Sequence, residues 1–73
     1  MSAIDAILDL LQDNKWHNFK EIAEKVALSS DNAEMVVNFL AEYEFVKLNK
    51  ETKQIKIHDL TLDFLTEIQH LAE

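Results

Sequence analysis

Across its 73 residues the chain contains neither glycine nor proline, and nothing else constrains its fold as tightly. Glycine reaches positive φ at no steric cost, and proline presets the first corner of a turn. Without them, every reversal is expected to be built from Asn, Asp, Ser and Lys. Helix ends are therefore read from caps. Ser2 stands three residues before Asp5, the spacing of a capping box. Ile4, Ile7, Leu8 and Leu11 then recur at i, i+3, i+4 and i+7, the stripe of an amphipathic helix. Asp13-Asn14 closes it. Asn18 with Glu21 repeats the capping signal and opens FKEIAEKVA, whose apolar face is Phe19, Ile22, Ala23 and Val26. Between these helices, Trp16-His17-Asn18 reads as a short extended piece with the tryptophan packed on the core.

Ala27-Leu28-Ser29 ends the second helix, and Ser29 or Ser30 caps a third over about residues 31–43, with Ala33, Val36, Val37 and Leu40 inward. There the period changes. Val46 and Leu48 alternate with Lys47 and Asn49, and Ile55 and Ile57 alternate with Lys56 and His58. Period-two runs around the polar KETK predict a β-hairpin, with Asn49 facing Gln54, Leu48 facing Ile55 and Lys47 facing Lys56. Asp59 or Thr61 caps a last helix that groups Phe64, Leu65, Ile68, Leu71 and Ala72. One α+β, mostly helical domain over 1–73 is expected: a core over 1–58 with the hairpin at 45–58, then a C-terminal helix at 59–73.

Residues 16–57 carry a resemblance. Phe19-Lys20-Glu21-Ile22-Ala23 opens the second helix, Leu28-Ser29 sits at the turn, Val37 and Leu40 lie in the third helix, and Phe45-Val46 precedes the hairpin. In this order the segment resembles a winged helix-turn-helix domain of the small archaeal or bacterial transcription-regulator type. The resemblance implies a three-helix core, a short strand, a two-stranded hairpin wing and a C-terminal helix. It also implies sequence-specific DNA binding, often by a dimer, in transcription regulation. Winged helices serve as protein-interaction modules too, so the fold leaves function to the residues. One position departs from the family: Glu44 stands where glycine is favoured, and glutamate tolerates φ > 0 poorly. A slightly different turn is expected there.

Charge separates the two uses. The chain carries fourteen acids against seven lysines and has no arginine, the residue best suited to bidentate contacts with bases and phosphates. No lysine lies between Lys25 and Lys47, whereas Asp31, Glu34, Glu42 and Glu44 do. The outward face of the third helix reads Met35, Asn38 and Glu42, with Phe39 at its flank. Asn38 could pair with adenine, but this helix neutralises no phosphate, and phosphate neutralisation supplies most affinity for DNA. Methionine and phenylalanine beside depleted positive charge suit a protein partner better; an inward-turned Phe39 is the plain alternative.

The hairpin is the counterweight. Residues 47–56 hold four lysines and one acid, enough for a salt-dependent phosphate contact that reads no sequence. Lysines also commonly protect an edge strand from aggregation. A DNA-binding regulator would use Lys47, Lys50, Lys53 and Lys56 with Asn32 and Asn38. In the last helix Leu60, Phe64, Ile68 and Leu71 form a stripe, which either covers the first helix or joins a second copy; the resemblance implies pairing across a two-fold axis.

Catalytic chemistry is not expected. His17, His58 and His70 are far apart, no cysteine accompanies them, and no spacing suits a metal. Neither a nucleophile motif nor a glycine-rich phosphate loop occurs, so no cofactor is expected. Without a signal peptide or a long apolar run the chain is expected in the cytoplasm, off the membrane. The leading expectation is a transcription- or DNA-associated interaction module acting mainly through protein contacts; a DNA-binding transcription regulator is the alternative.

Overall fold

The computed structural model of the chain describes residues 2–71. Helix α1 (Ala3–Leu10) runs into a 3-10 turn (Leu11–Asp13), followed by strand β1 (His17–Asn18) and helices α2 (Phe19–Lys25) and α3 (Ser30–Glu42). Strands β2 (Val46–Asn49) and β3 (Gln54–Ile57) precede helix α4 (Asp59–Leu71). The domain is α+β and mostly helical, with one antiparallel sheet in the order β1-β3-β2. The hairpin has the expected register, Leu48 opposite Ile55 and Lys47 opposite Lys56. On the other edge of β3, His17 pairs with Ile55. Ile55 therefore joins the N-terminal half of the chain to the hairpin.

Alternation in the sheet and the helical stripes converge on one core. Ile7, Leu11, Ile22, Val37, Leu40, Val46, Ile55 and Ile57 form it, each essentially without exposed surface. Removing a buried isoleucine side chain to alanine typically costs about 2–5 kcal/mol, a large share of a small domain's stability.

Three helices start at the expected caps. Ser2 Oγ accepts from the Asp5 amide at 3.2 Å, Asn18 Oδ1 from the Glu21 amide at 2.8 Å, and Ser29 Oγ from the Asn32 amide at 3.2 Å. The fourth differs. Neither Asp59 nor Thr61 caps α4; His58 does, its Nδ1 accepting the Leu60 amide at 3.2 Å. Thr61 is buried instead, because one turn into the helix it faces the domain.

Two helices end without glycine in turns that ordinarily call for it. At the end of α3, Glu44 takes φ 63°. Its amide donates to the Ala41 carbonyl at 3.1 Å and the Phe45 amide to the Leu40 carbonyl at 2.8 Å, the two bonds of a Schellman cap. The turn thus keeps positive φ where a departure was expected, because two carbonyls left over at the helix end gain donors. At the end of α2, Ala27 takes φ 56°, with the Leu28 amide on the Ala23 carbonyl at 3.0 Å. Asn14 and Lys53 make the other two positive-φ turns among the described residues.

The extended piece at 16–18 corrects a second expectation. His17 is buried, and Trp16 is 44% exposed. Strand parity is the reason: His17 pairs with inward-facing Ile55, which turns its neighbour to the opposite face. At the other end of the α1 stripe, Ile4 remains partly exposed. The contribution expected from Ala72 lies outside the described residues.

Since a left-handed non-glycine residue carries about 1–2 kcal/mol of strain, Glu44→Gly should stabilise the domain. Less the extra chain entropy of glycine, the gain should be about 0.5–1 kcal/mol. Thermal unfolding should shift upward by a few degrees; a lower midpoint would show that Glu44 is held by something other than its cap.

Candidate functional site

The aromatic residues point to the surface. Of the six, Trp16, Phe39, Tyr43, Phe45 and Phe64 are exposed, and the buried apolar core contains none. Aromatic rings are the largest apolar side chains available, and exposed clusters of them mark contact surfaces more often than chance.

Helix α3 organises the first part. Its inward face is Ala33, Val37 and Leu40, with Val36 half-buried. At about 100° per residue, the outward residues divide into two rows. Met35, Phe39 and Tyr43 form a ridge, and the rings of Phe39 and Tyr43 lie 4.9 Å apart at 50°. Met35 is 69% exposed and Phe39 46%, so Phe39 is not drawn into the core. Asn38, Glu42 and Glu34 turn to the other side. They line a groove of about 690 Å³ with Phe19, Lys50 and Lys53. The four residues expected on one contact face, Met35, Asn38, Phe39 and Glu42, therefore belong to two adjoining surfaces. Asn32 is exposed in the first turn, on the Phe39 side, away from Asn38.

The hairpin lysines do not form one free basic patch. Lys47 Nζ lies 3.8 Å from an Asp59 carboxylate oxygen. Lys50 and Lys53 share their groove with Glu34 and Glu42. Lys56 is half-buried, opposite Lys47 across the strand pair.

Helix α4 completes the surface. Leu62 and Leu65 pack against the core, and Gln69 Nε2 donates to Gln12 Oε1 at 3.1 Å. The expected stripe faces away from it: Leu60 is 73% exposed, Phe64 63%, Ile68 43% and Leu71 82%. A depression lined by Tyr43, Phe45, Leu60 and Phe64 lies between the end of α3 and the start of α4. The α3 ridge and the α4 stripe, separate in the sequence, thus meet at this depression.

One polar arrangement went unread in the sequence. His17 Nδ1 lies 2.8 Å from Glu21 Oε1, and its Nε2 lies 2.9 Å from both oxygens of Asp13. Carboxylates only accept, so the arrangement is fully satisfied when both ring nitrogens carry hydrogen, as in the imidazolium. Burial opposes that charge, but the bonds to Asp13 and Glu21 outweigh it and raise the His17 pKa above the ordinary value. The bond from His17 likewise holds Asp13 below its ordinary value. The available signal was the spacing of Asp13, His17 and Glu21, four residues apart each time. This clamp ties the 3-10 turn to β1 and α2, and its nitrogens are occupied. Among the described residues no group of three or more His, Cys, Asp or Glu side chains could hold a metal. No helix of the described residues is long and apolar enough to cross a membrane.

Comparison with protein-family models finds no match, and comparison with curated protein sequences finds none either.

The clamp sets a pH dependence. Since the folded pKa of His17 is raised, its contribution is complete below the unfolded value of about 6.5 and is lost as pH rises through the folded value. Asp13, lowered, contributes fully above its unfolded value of about 3.9 and loses this as pH falls through its folded value. With both carboxylates partly in water, the His17 contribution should be about 1 kcal/mol. Denaturant unfolding at rising pH above 6.5 should weaken wild type more than His17→Gln. Parallel losses would show that the clamp carries no net stability.

Proposed function

We propose that this chain is a winged helix-turn-helix module of the transcription- or DNA-associated kind that works mainly through protein contacts. The observation that carries the reading is the outward side of α3. It presents Met35, Phe39 and Tyr43 beside acids, with no lysine between Lys25 and Lys47. The order of elements and the sheet order β1-β3-β2 accord with a winged helix, in which α3 would be the recognition helix and β2–β3 the wing. On DNA, Glu34 and Glu42 would approach phosphates with like charge. For a protein, an exposed aromatic ridge of this kind supplies the large rigid anchors that dominate interface energies.

A second reading has one observation in its favour. Lys47, Lys50 and Lys53 are exposed on the hairpin, so a DNA-binding transcription regulator touching phosphates through its wing, with Asn32 and Asn38 on α3, is the alternative. A dimer through Leu60, Phe64, Ile68 and Leu71 would then supply two half-sites.

The two readings part on substitution. Met35→Asp combined with Phe39→Asp should abolish capture of a protein partner from the chain's native cells while leaving the circular dichroism spectrum unchanged. Each lost anchor should cost about 2 kcal/mol or more in binding. Undiminished capture by the folded double variant would remove the ridge from the function.

A further inference from the structure

The depression between α3 and α4 is framed by one sign of charge. The ridge on α3 is bordered by Asp31, Glu42 and Glu44, and the stripe on α4 by Asp59, Asp63 and Glu67, all exposed. Neither 26–46 nor 57–71 contains a lysine or arginine; lysines approach this surface at its edges, where Lys47 meets Asp59 and where Lys50 and Lys53 share a groove with Glu42. The apolar part is large enough for an interface. At roughly 200 Å² per fully exposed large side chain, the exposed fractions of the ridge, the depression and the stripe amount to about 900 Å². A standard interface takes about 800 Å² from each partner.

We infer that this surface docks a basic amphipathic segment of another protein, with an apolar face against Tyr43, Phe45, Leu60 and Phe64 and lysine or arginine at its flanks. Resting on the protein-contact reading above, the inference names the chemistry of the partner. Complementarity favours it over a second copy paired through antiparallel α4 helices. About the α4 axis, Asp63 and Glu67 lie on one side of the stripe, at about 100° per residue. A two-fold axis pairing antiparallel α4 helices face to face leaves that side on the same side in both copies. The Asp63/Glu67 edges would then meet, and like charges brought together across an interface work against it. A basic segment instead places a counter-charge along each acidic edge, and the apolar contact excludes water between them.

Two dye-labelled synthetic peptides test this, sharing one Leu/Phe helical face but flanked by lysine in one and by glutamate in the other. Fluorescence anisotropy against the full chain should show the lysine peptide binding at least about tenfold tighter at low salt, with the margin shrinking as salt is added. Phe64→Ser should weaken it about tenfold or more with the fold unchanged by circular dichroism. Asp63→Lys with Glu67→Lys should narrow or reverse the preference. Equal binding of the two peptides, or indifference to Phe64→Ser, would overturn the proposal. So would a dimer in sedimentation that Phe64→Ser dissociates and the lysine peptide cannot displace, since a second copy would then hold the surface. If neither peptide binds while the Met35/Phe39 double variant still loses partner capture, this occupant is overturned and the protein-contact reading stands. If that variant keeps its partner as well, both fall.

Discussion

Among the described residues the interior holds ten buried apolar side chains, all Ile, Leu, Val or Ala, and the rest of the structure is arranged around how little that is. A chain of this length encloses a single thin core. Here the helices and a hairpin of two four-residue strands close over it, with Ile55 tied on one edge to β1 and on the other to β2. Aliphatic chains fill such a space with few voids, and five of the six rings are left at the surface. Exposed apolar area on this scale is unfavourable for an isolated domain, which is why its clustering along α3 and α4 points to a contact surface.

Periodicity and caps made most of the fold legible. The change from a 3.6 to a 2 period located the hairpin, and the tetrapeptide KETK fixed its register. Ser2, Asn18 and Ser29 announced three helix starts because a short polar side chain before an apolar stripe has one economical use. What the sequence concealed depends on contacts between elements. A two-residue strand has no period of its own, so only its pairing with β3 showed that His17 turns in and Trp16 out. Likewise, nothing in Ala27 signals positive φ, and at Glu44 the sign came from the family's glycine position and not from the residue itself; the Schellman bonds impose it from the helix behind.

The candidate surface was legible in parts. Met35, Phe39 and the α4 stripe could be chosen from their spacing, and the structure leaves them exposed. Their convergence at the Tyr43–Phe64 depression could not be read, since it depends on how α4 leaves the sheet after His58. Nor could the dispersal of the hairpin charge. As a segment it reads as basic, but Lys47 reaches Asp59, and Lys50 and Lys53 stand across a groove from Glu34 and Glu42. Tertiary structure thus places acids beside the only basic stretch of the chain and keeps the apolar surface bordered by acids.

If this surface meets protein rather than phosphate, duplex DNA should fail to bind the chain. Fluorescence anisotropy of a pooled random duplex of ~30 bp spans two half-sites one helical turn apart. It would be titrated at low and at near-physiological salt, with the Lys47/Lys50/Lys53/Lys56→Glu variant alongside. No binding is expected at near-physiological salt, and at most a weak signal at low salt. Firm binding that falls steeply with salt and vanishes in the lysine variant would contradict it and make the hairpin a DNA contact.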